Sequence, residues 1–522
     1  MFVFRNHTVE RFFPKGYSFS GYDDISFIPQ DADGYVWFYQ VPVKNDRKLL
    51  SEEVESYSGK VEYILGQIDP SKVFIALTLV PVFEPVVTES DFRLTAAIAG
   101  FNLALRRLAQ EHANLKVIEL LDFTGRYSAT ELMDWKYYFI SQMGVNPRLA
   151  GDFIHWWGKK LESVALKRKK CIVLDLDNTL WGGILGEDGI DGIKIGGDYP
   201  GKAFGFFQEA LLELEKSGII LAVCSKNNEA DVREAWERVP SMILRKEHFA
   251  AYRINWRDKA SNIKEIASEL NIGLDSIVFI DDSPSERGLV SQFLPEVVVP
   301  EFPAQPYEFP PFFQSLVDNY FQVYSVTDED RNKTMQYQAN AARAEAQKQF
   351  TDYTSFLKSL EIQMTVAEAD ELTIPRIAQM TQKTNQFNLT TKRYSDSDIR
   401  TFLQNGWRIW CLSVSDRFGD NGITGCVLLN GAEIDSLMLS CRVLGKGIEY
   451  AFLKTVLSVL KKDGHQTITA RYVPSLKNAQ VADFYDKCGF TCVDASAQGK
   501  AYEIELGRAG LEIEDYYRIT IR

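Results

Sequence analysis

The stretch CIVLDLDNTLWGG, Cys171–Gly183, decides the fold of the central part of this chain. Its first four residues, Cys171–Leu174, form an unbroken apolar run, which is typical of a strand buried on both faces of a parallel sheet. Asp175 and Asp177 follow at the strand end where open α/β sheets bind ligands. Two carboxylates this close repel each other unless a cation or a proton lies between them. The pattern predicts a Mg²⁺ site with a carboxylate free to attack phosphorus, whereas the simpler interpretation is an Asx turn.

Length and composition are those of an ordinary globular protein. The chain has 522 residues, enough for roughly two to four domains, and 45% of them are hydrophobic. The net charge of −13 argues against non-specific binding to nucleic acid or to an anionic membrane. The sequence has no apolar run long enough to span a bilayer, and its charged N-terminal segment is unlike a signal peptide. Its seven cysteines show no metal-type spacing, so we expect a cytoplasmic protein. From the charge and the lack of a long apolar run, we expect neither nucleic-acid binding nor membrane insertion.

Residues 1–165 alternate between predicted strands and helices, which indicates a small α/β domain. Asp152 and His155, three residues apart, resemble the last sequence block of SGNH-type hydrolases. Those enzymes need a nucleophilic serine near the first strand, where this sequence reads FRNHT, Phe4–Thr8. We therefore expect a degenerate SGNH-like domain for scaffolding or docking, in which Asp152 and His155 cap and pack.

Residues 166–322 contain the opening stretch and further buried strands at 219–224 and 276–280. Helical patterns at 204–217, 229–238 and 260–270 separate these strands, so the segment predicts a doubly wound parallel sheet. Polar residues follow the predicted strands or begin the next helix, and we expect them to converge at one edge of the sheet: Asp175, Asp177, Ser225, Lys259, Asp281 and Asp282. A proline-rich stretch, residues 299–311, reads as an extended linker.

This ordered set of motifs resembles the haloacid dehalogenase (HAD) superfamily of phosphotransferases. The resemblance implies that Asp175 is the nucleophile that forms an aspartyl-phosphate, and that Asp177 is the general acid and base. It also implies that Ser225 and Lys259 hold the phosphoryl oxygens, and that Mg²⁺ binds Asp175, the backbone carbonyl of Asp177, and Asp282.

One of these motifs departs from the usual family pattern, Gly-Asp-x-x-x-Asp. Asp281 stands in the glycine position here, Asp282 in that of the first aspartate and Glu286 in that of the second. We expect Asp282 to be the direct metal ligand and Asp281 to assist the site from a more interior position. The simpler interpretation is a helix cap beside Pro284, and capping is compatible with metal binding.

The spacing of the motifs leaves no room for a cap domain. Ser225 and Lys259 are 34 positions apart, which a core helix and strand largely occupy, and only the glycine-rich segment 181–197 follows Asp177. HAD enzymes that act on small metabolites usually carry a cap that excludes water. A capless core therefore indicates a substrate bound to a protein, or closure by a neighbouring domain.

Residues 351–522 have a signature of their own, after a predicted helical linker at 323–350. A predicted strand ends at Ser440, and RVLGKG, Arg442–Gly447, then opens a helix. This arrangement resembles the pyrophosphate loop of GCN5-related N-acetyltransferases (GNAT), whereas the simpler interpretation is a glycine-terminated turn. The resemblance implies cofactor-binding roles for Arg442, Gly445, Gly447, Asn478 and Tyr485. We also expect Asn385–Asn388 and Asp416–Gly419 to line this domain's pocket.

In this order the segments resemble the FkbH-like proteins, through long local matches such as LDLDNTLWGGILGEDG at 174–189 and LSCRVLGKGIE at 439–449. The predicted fold is α/β: a capless, HAD-like, Rossmannoid doubly wound sheet between an N-terminal α/β SGNH-like domain and a C-terminal α+β GNAT-like domain.

The FkbH resemblance implies a Mg²⁺-dependent enzyme that dephosphorylates an acyl phosphate like 1,3-bisphosphoglycerate. It would transfer the glyceryl group to the phosphopantetheine thiol of an acyl carrier protein. The alternative is a Mg²⁺-dependent phosphatase fused to an independent acyltransferase that uses acyl-CoA, and a third possibility is a scaffold with a decayed site. A covalent thioester on the enzyme would need a cysteine, for which Cys224 and Cys441 are candidates, although either is equally compatible with buried packing.

Overall fold

The computed structural model describes residues 1–44, 46–81, 92–326, 333–347, 349–440 and 443–522. Contacts divide the chain into two units, one made of Met1–Val164 with Tyr394–Asn405 and the other of Ala165–Arg393 with Gly406–Arg522. None of the helices in these described ranges combines the length and the apolar character that crossing a membrane requires. The division into an SGNH-like, a HAD-like and a GNAT-like domain remains a prediction.

The first unit is built on a parallel five-stranded sheet, in the order β2-β1-β3-β4-β5. Its strands are β1 Phe2–Arg5, β2 Ser18–Tyr22, β3 Gly34–Phe38, β4 Val73–Leu77 and β5 Leu115–Ile118. Its helices are Arg47–Gln67, Arg93–Glu111, Leu121–Thr124, Ala129–Leu132, Trp135–Ser141, Ala150–Val164 and Asp396–Gln404.

Alternate residues of this sheet enter two separate cores. Trp37 packs on one face with residues of Arg47–Gln67 and Arg93–Glu111, while Phe38 packs on the other with Phe153. Strand residues point alternately to opposite faces, so a sheet covered on both sides needs apolar residues at nearly every position. The α/β character predicted for this segment is confirmed.

The second unit contains two sheets, of which the first is parallel and four-stranded, in the order β8-β7-β6-β9. Its strands are β6 Cys171–Leu174, β7 Ile220–Ser225, β8 Phe249–Ile254 and β9 Ile277–Ile280. The helices that accompany it are Leu185–Asp188, Gly201–Lys216, Glu229–Arg238, Lys259–Glu269, Pro284–Phe293 and Phe309–Leu316.

The interpretation of residues 299–311 as an extended linker is wrong for the end of that stretch. Phe309 begins a helix, and its ring packs against Phe204 and Phe207 with centroids 5.2 Å apart. The prolines suggested an extended chain, but burial of the neighbouring aromatic rings decides the conformation.

The second sheet of this unit is mixed and eight-stranded, in the order β15-β16-β14-β13-β12-β11-β10-β17. Its strands are β10 Gln363–Glu368, β11 Arg408–Asp416, β12 Gly419–Asn430, β13 Glu433–Leu439, β14 Thr467–Tyr472, β15 Thr491–Ser496, β16 Gly499–Glu505 and β17 Arg518–Ile521. Its helices are Tyr353–Ser359, Ile374–Lys383, Ile448–Lys462 and Phe484–Lys487.

The helix Lys333–Gln347 contacts both sheets of the second unit. The Gln338 side chain donates hydrogen bonds to the carbonyls of Glu247 and Phe249, at the start of β8. Arg343 forms a bidentate ion pair with Asp416 at the end of β11, with distances of 2.6 and 2.7 Å. The sequence TDED at residues 327–330 also predicts an N-terminal cap for this helix, and it lies outside the described residues.

Candidate active site

The carboxyl ends of β6 and β9 bring together the aspartates that follow them. Leu174 pairs with Ile280 in the parallel register, so Asp175 and Asp281 leave the sheet side by side. The Asp175 N–H also donates to the Ile280 carbonyl at 2.9 Å, which extends the ladder by one bond. A short apolar strand thus delivers each carboxylate to a fixed place.

Lys259 provides the positive charge of this cluster. It is the first residue of its helix, and its Nζ lies 3.0 Å from Asp175 Oδ1 and 2.5 Å from Asp281 Oδ2. Burial lowers the pKa of Lys259, but the carboxylates of Asp175 and Asp281 outweigh burial and raise that pKa above its usual value. Lys259 is therefore a fixed cation between two carboxylates.

Carboxylate oxygens of Asp175, Asp281 and Asp282 all lie within 4.8 Å of one another. Burial and the charge of Asp175 raise the pKa of Asp281 to about 6, against the opposing effect of Lys259. The same two causes raise the pKa of Asp282. One lysine does not offset this much negative charge, and hard oxygen ligands suit Mg²⁺, so the residues fit a divalent cation.

Asp177 lies outside this group of three carboxylates. Its Oδ1 accepts hydrogen bonds from Trp181 Nε1 at 2.9 Å and from the Leu185 N–H at 3.0 Å, while Asn227 Nδ2 donates to Oδ2 at 2.8 Å. The glycine-rich segment is thereby tied to the Asp177 side chain, and Trp181 is fully buried. These contacts leave metal binding by Asp177 to its backbone carbonyl, the atom that the HAD resemblance implies.

Ser225 ends β7 and is buried. Its Oγ accepts a hydrogen bond from Asn227 Nδ2 at 3.2 Å. The same amide group holds Asp177, so Asn227 links the second and third of the predicted catalytic residues, Asp177 and Ser225. Sequence reasoning missed this role, although the position of Asn227 two residues beyond a predicted strand end could have suggested it.

Two more residues that sequence reasoning missed hold the loop after β9. Thr179 Oγ1 accepts a hydrogen bond from the Asp282 N–H at 3.2 Å. Arg287 donates to the carbonyls of Asp281 and Asp282 at 2.9 and 2.7 Å. Both fix the backbone that carries the carboxylates. Glu286, matched to the second aspartate of the family pattern, instead pairs with Lys226 at 2.7 Å.

Cys224 precedes Ser225 but offers no reactive thiolate. Its side chain is buried, and burial raises the pKa of the thiol to about 12. Its Sγ lies 3.8 Å from the Lys259 carbonyl, within the core. The geometry therefore favours packing over the nucleophilic role considered for this cysteine.

The loop predicted to bind pyrophosphate is described only in part, because Cys441 and Arg442 lie outside the described residues. Gly445 and Gly447 have positive φ angles of 81° and 71°, which disfavour other residues. A Cβ on Gly447 would also meet Tyr517 Oη at 2.7 Å. The helix Ile448–Lys462 starts directly after this loop, as the pattern predicts.

Asn478 and Tyr485, also predicted to bind the cofactor, have their contacts inside the protein. The Asn478 side chain accepts from the Ser475 N–H at 2.7 Å and donates to the carbonyls of Asn388 and Val473 at 2.9 Å each. The Tyr485 ring is buried in the core. Asn478 is thus placed to fix loops, and Tyr485 to fill the core.

The other two segments predicted to line the pocket of this domain also have internal partners. Asn388 Oδ1 accepts from the N–H groups of Thr390 and Thr391 at 3.3 and 2.9 Å, which is a turn contact. Asp416 is engaged by Arg343. The pocket that these segments are predicted to line remains a prediction.

No protein-family model and no curated protein matches this sequence. Among solved structures, the chain is similar to the N-terminal part of the protein BF1531 from Bacteroides fragilis, which contains a phosphatase domain and is complexed with Mg. The identity is 28% and the TM-score 0.53, and the match covers 62% of this chain and 94% of that one. The similarity agrees with a phosphatase-like fold around the aspartate cluster.

Two acetyltransferase structures match a smaller part of the chain. One is an N-acetyltransferase from Staphylococcus aureus, with 15% identity over 27% of this chain and 98% of that one, at a TM-score of 0.22. The other is yncA, a putative acetyltransferase from Salmonella typhimurium with its cofactor acetyl-CoA, with 15% identity over 27% and 94%, at 0.21.

Proposed function

We propose that this chain is a Mg²⁺-dependent phosphatase or phosphotransferase of the HAD type, with Asp175 as its nucleophile. The observation that carries the proposal is the buried cluster in which Lys259 lies within 3.0 Å of Asp175 and beside Asp281. A structural scaffold gains little from several buried carboxylates at one sheet edge, since their desolvation is costly. The similarity to a phosphatase domain complexed with Mg supports the same reaction class.

In the proposed reaction, an oxygen of Asp175 attacks the phosphorus of a phosphate ester, and the bond from phosphorus to the ester oxygen breaks. Asp177 gives a proton to the departing oxygen and then takes one from the water that hydrolyses the aspartyl-phosphate. Lys259 and Ser225 stabilise the phosphoryl oxygens. Asp175, the Asp177 carbonyl and Asp282 would hold Mg²⁺, which when bound would supply further positive charge to those oxygens.

Asp177 must give up part of its hydrogen bonding for this role. Its contacts to Asn227 and Trp181 hold the carboxylate in place. A substrate oxygen that displaces one of these donors would take the proton from Asp177. The bond to Trp181 then couples the position of the glycine-rich segment to the protonation of Asp177.

The finer proposal follows the FkbH-like resemblance: the donor is an acyl phosphate like 1,3-bisphosphoglycerate, and the acceptor is a carrier-bound phosphopantetheine thiol. Two different bonds then break. The thiol attacks the carbonyl carbon of the acyl phosphate and expels inorganic phosphate, whereas Asp175 attacks the phosphorus of the remaining phosphate ester. A glyceryl product, free of phosphate, needs both steps.

To test the finer proposal, the protein is incubated with Mg²⁺, 1,3-bisphosphoglycerate and a phosphopantetheinylated carrier protein. The mass of the carrier protein is then measured. The finer proposal expects a glyceryl group on the wild-type product. With Asp175→Asn it expects a product heavier by one phosphate group, because thiol attack persists and ester cleavage stops. The matched control is Asp191→Asn, which makes the same change at an exposed position of the glycine-rich segment.

The outcomes separate the two levels of the proposal. Release of phosphate from generic phosphomonoesters without a gain in carrier mass would leave a phosphatase and remove the carrier-protein step. An independent acyltransferase would then be tested with acyl-CoA. Full phosphate release by Asp175→Asn would rule out the aspartyl-phosphate mechanism itself.

A further inference from the structure

A cavity of about 200 Å³ lies in the first unit, and none of the residues of the proposed phosphoryl site lines it. Residues that follow strands β1, β3, β4 and β5 line it, among them His7, Gln40, Val80 and Leu120. This is the carboxyl edge of a parallel sheet, where open α/β folds bind ligands. The lining is mainly apolar, and includes Phe38, Met133 and Val145.

His7 supplies a polar atom to this apolar wall. The residue is 4% exposed, and its Nε2 is buried without a hydrogen-bond partner among the described residues. Its ring stands edge-on to Phe38, with centroids 5.0 Å apart. Burial, with the charge of Arg5, lowers the pKa of His7 to about 3, so the imidazole is neutral at ordinary pH.

The hydrogen bonds of Asn6 determine which ring nitrogen of His7 carries the proton. Asn6 donates to the Gln40 carbonyl at 2.7 Å and accepts from the Gln40 N–H at 2.9 Å, which fixes its side-chain oxygen. His7 Nδ1 lies 3.0 Å from that same oxygen, so Nδ1 must be the donor. Nε2 of the neutral ring is therefore an acceptor, and its partner must bring an O–H or N–H group.

We propose that this cavity binds a small apolar molecule that carries one hydroxyl group, which donates to His7 Nε2. An engineered cavity of about 150 Å³ holds benzene, so this one has room for roughly eight non-hydrogen atoms. The position at the sheet edge indicates a ligand site, and the apolar wall indicates that most of the ligand is apolar. The hydrogen-bond acceptor on His7 indicates that the ligand carries a hydroxyl group. The unit binds this ligand without reacting with it.

The residues considered for SGNH-type chemistry support binding without catalysis. Asp152 and His155 are both exposed, and neither lines the cavity. Asp152 accepts a hydrogen bond from Tyr127 at 3.0 Å. The only histidine on the cavity wall is His7, within the described residues, and its proton is held by Asn6.

The test titrates the full-length protein with p-cresol and with p-xylene, which match in shape and differ in the hydroxyl group, by isothermal titration calorimetry. In His7→Phe, which keeps a ring but removes the acceptor, the preference for p-cresol over p-xylene should fall about 3- to 10-fold relative to wild type. Ala129→Phe places a ring at the exposed edge of the cavity and should abolish the binding of both compounds.

The matched control is Ala99→Phe, the same change at an exposed position in the helix Arg93–Glu111, which should bind as wild type does. No binding by wild type, or wild-type binding by Ala129→Phe, would overturn the proposed cavity. An unchanged preference in His7→Phe would overturn the hydroxyl contact. If His7→Phe does not fold, the surface variant Ala129→Phe still tests the cavity. The preference of the wild type for p-cresol over p-xylene then tests the hydroxyl contact.

Discussion

At the scale of single residues, Lys259 contributes to stability and, in the proposed mechanism, to catalysis. It lies between Asp175 and Asp281 with a side chain only 4% exposed. Lys259→Met leaves buried carboxylates without their cation, so we expect the free energy of unfolding to fall by about 3–5 kcal/mol. Phosphatase activity should be lost as well. Urea denaturation and phosphate release measure the two effects.

Lys264→Met is the control for this change, because Lys264 is exposed on the same helix. We expect it to leave the urea midpoint and the activity unchanged. If Lys259→Met unfolded at the wild-type urea concentration, the carboxylates around it would have to be neutral in the folded protein.

A second lysine, Lys446, gives a pH-dependent prediction. Burial and the nearby Arg343 lower the pKa of Lys446 to about 8, although Asp416 opposes them. Below pH 8 this lysine is charged in both the folded and the unfolded state, and burial of its charge lowers the free energy of unfolding. Between pH 8 and about 10.5 the folded state loses this proton first, so its contribution to stability rises with pH.

Lys446→Met should therefore stabilise the protein at pH 7, by roughly 1–3 kcal/mol, and the gain should disappear toward pH 10. Thermal unfolding followed at both pH values tests this, with Lys461→Met as an exposed control at the end of the next helix. A gain that is the same at pH 7 and pH 10 would show that folding does not lower the pKa of Lys446.

At the scale of elements, the helix Lys333–Gln347 is held by the buried pair of Arg343 and Asp416, whose side chains are 4% and 1% exposed. Arg343→Met leaves the Asp416 carboxylate buried, with Lys446, 3.9 Å away, as its remaining ion-pair partner among the described residues. We expect this variant to lose about 3–5 kcal/mol of unfolding free energy.

The double variant Arg343→Met with Asp416→Asn should lose much less than the sum of the two single variants, because the stranded charge is gone. A double-mutant cycle in urea measures the difference. Additive losses would show that the two side chains act independently and that the helix is held by its other contacts.

The candidate site was predictable because strand, carboxylate and next helix are adjacent in sequence. Asp175 follows Leu174 and Asp281 follows Ile280. The rule that the carboxyl ends of parallel strands lie at one edge is enough to predict that the two carboxylates lie close together. Asn227, Thr179 and Arg287 escaped prediction because each contact depends on which loops meet, and each residue alone has an ordinary turn or surface interpretation.

Elements were predicted where periodicity is strong and missed where long-range pairing decides. The helix expected at 260–270 is Lys259–Glu269, and the strand expected at 276–280 is Ile277–Ile280. The strand Phe249–Ile254 was expected between Ser225 and Lys259 but was not located, because an edge strand with polar positions lacks the continuous apolar pattern of its neighbours. Its pairing with Ile220–Ser225 is a tertiary fact that its own sequence does not express.

At the scale of the whole molecule, the two units should respond differently to Mg²⁺. The acidic cluster of Asp175, Asp281 and Asp282 belongs entirely to the unit Ala165–Arg393 with Gly406–Arg522. Ligand binding stabilises only the unit that holds the site, by about 2.7 kcal/mol when the ligand is at 100 times its Kd. Multi-domain chains commonly unfold in more than one transition.

We therefore expect two calorimetric transitions, of which Mg²⁺ raises one and leaves the other in place, and a chelator reverses the effect. Asp282→Asn removes one ligand and should abolish most of the shift, whereas Asp191→Asn should keep it. In the absence of Mg²⁺, Asp282→Asn should melt no lower than wild type. The substitution removes the charge repulsion that raises the pKa of Asp282. Equal shifts of both transitions in Mg²⁺ would mean that the ion binds elsewhere or that the two units unfold together.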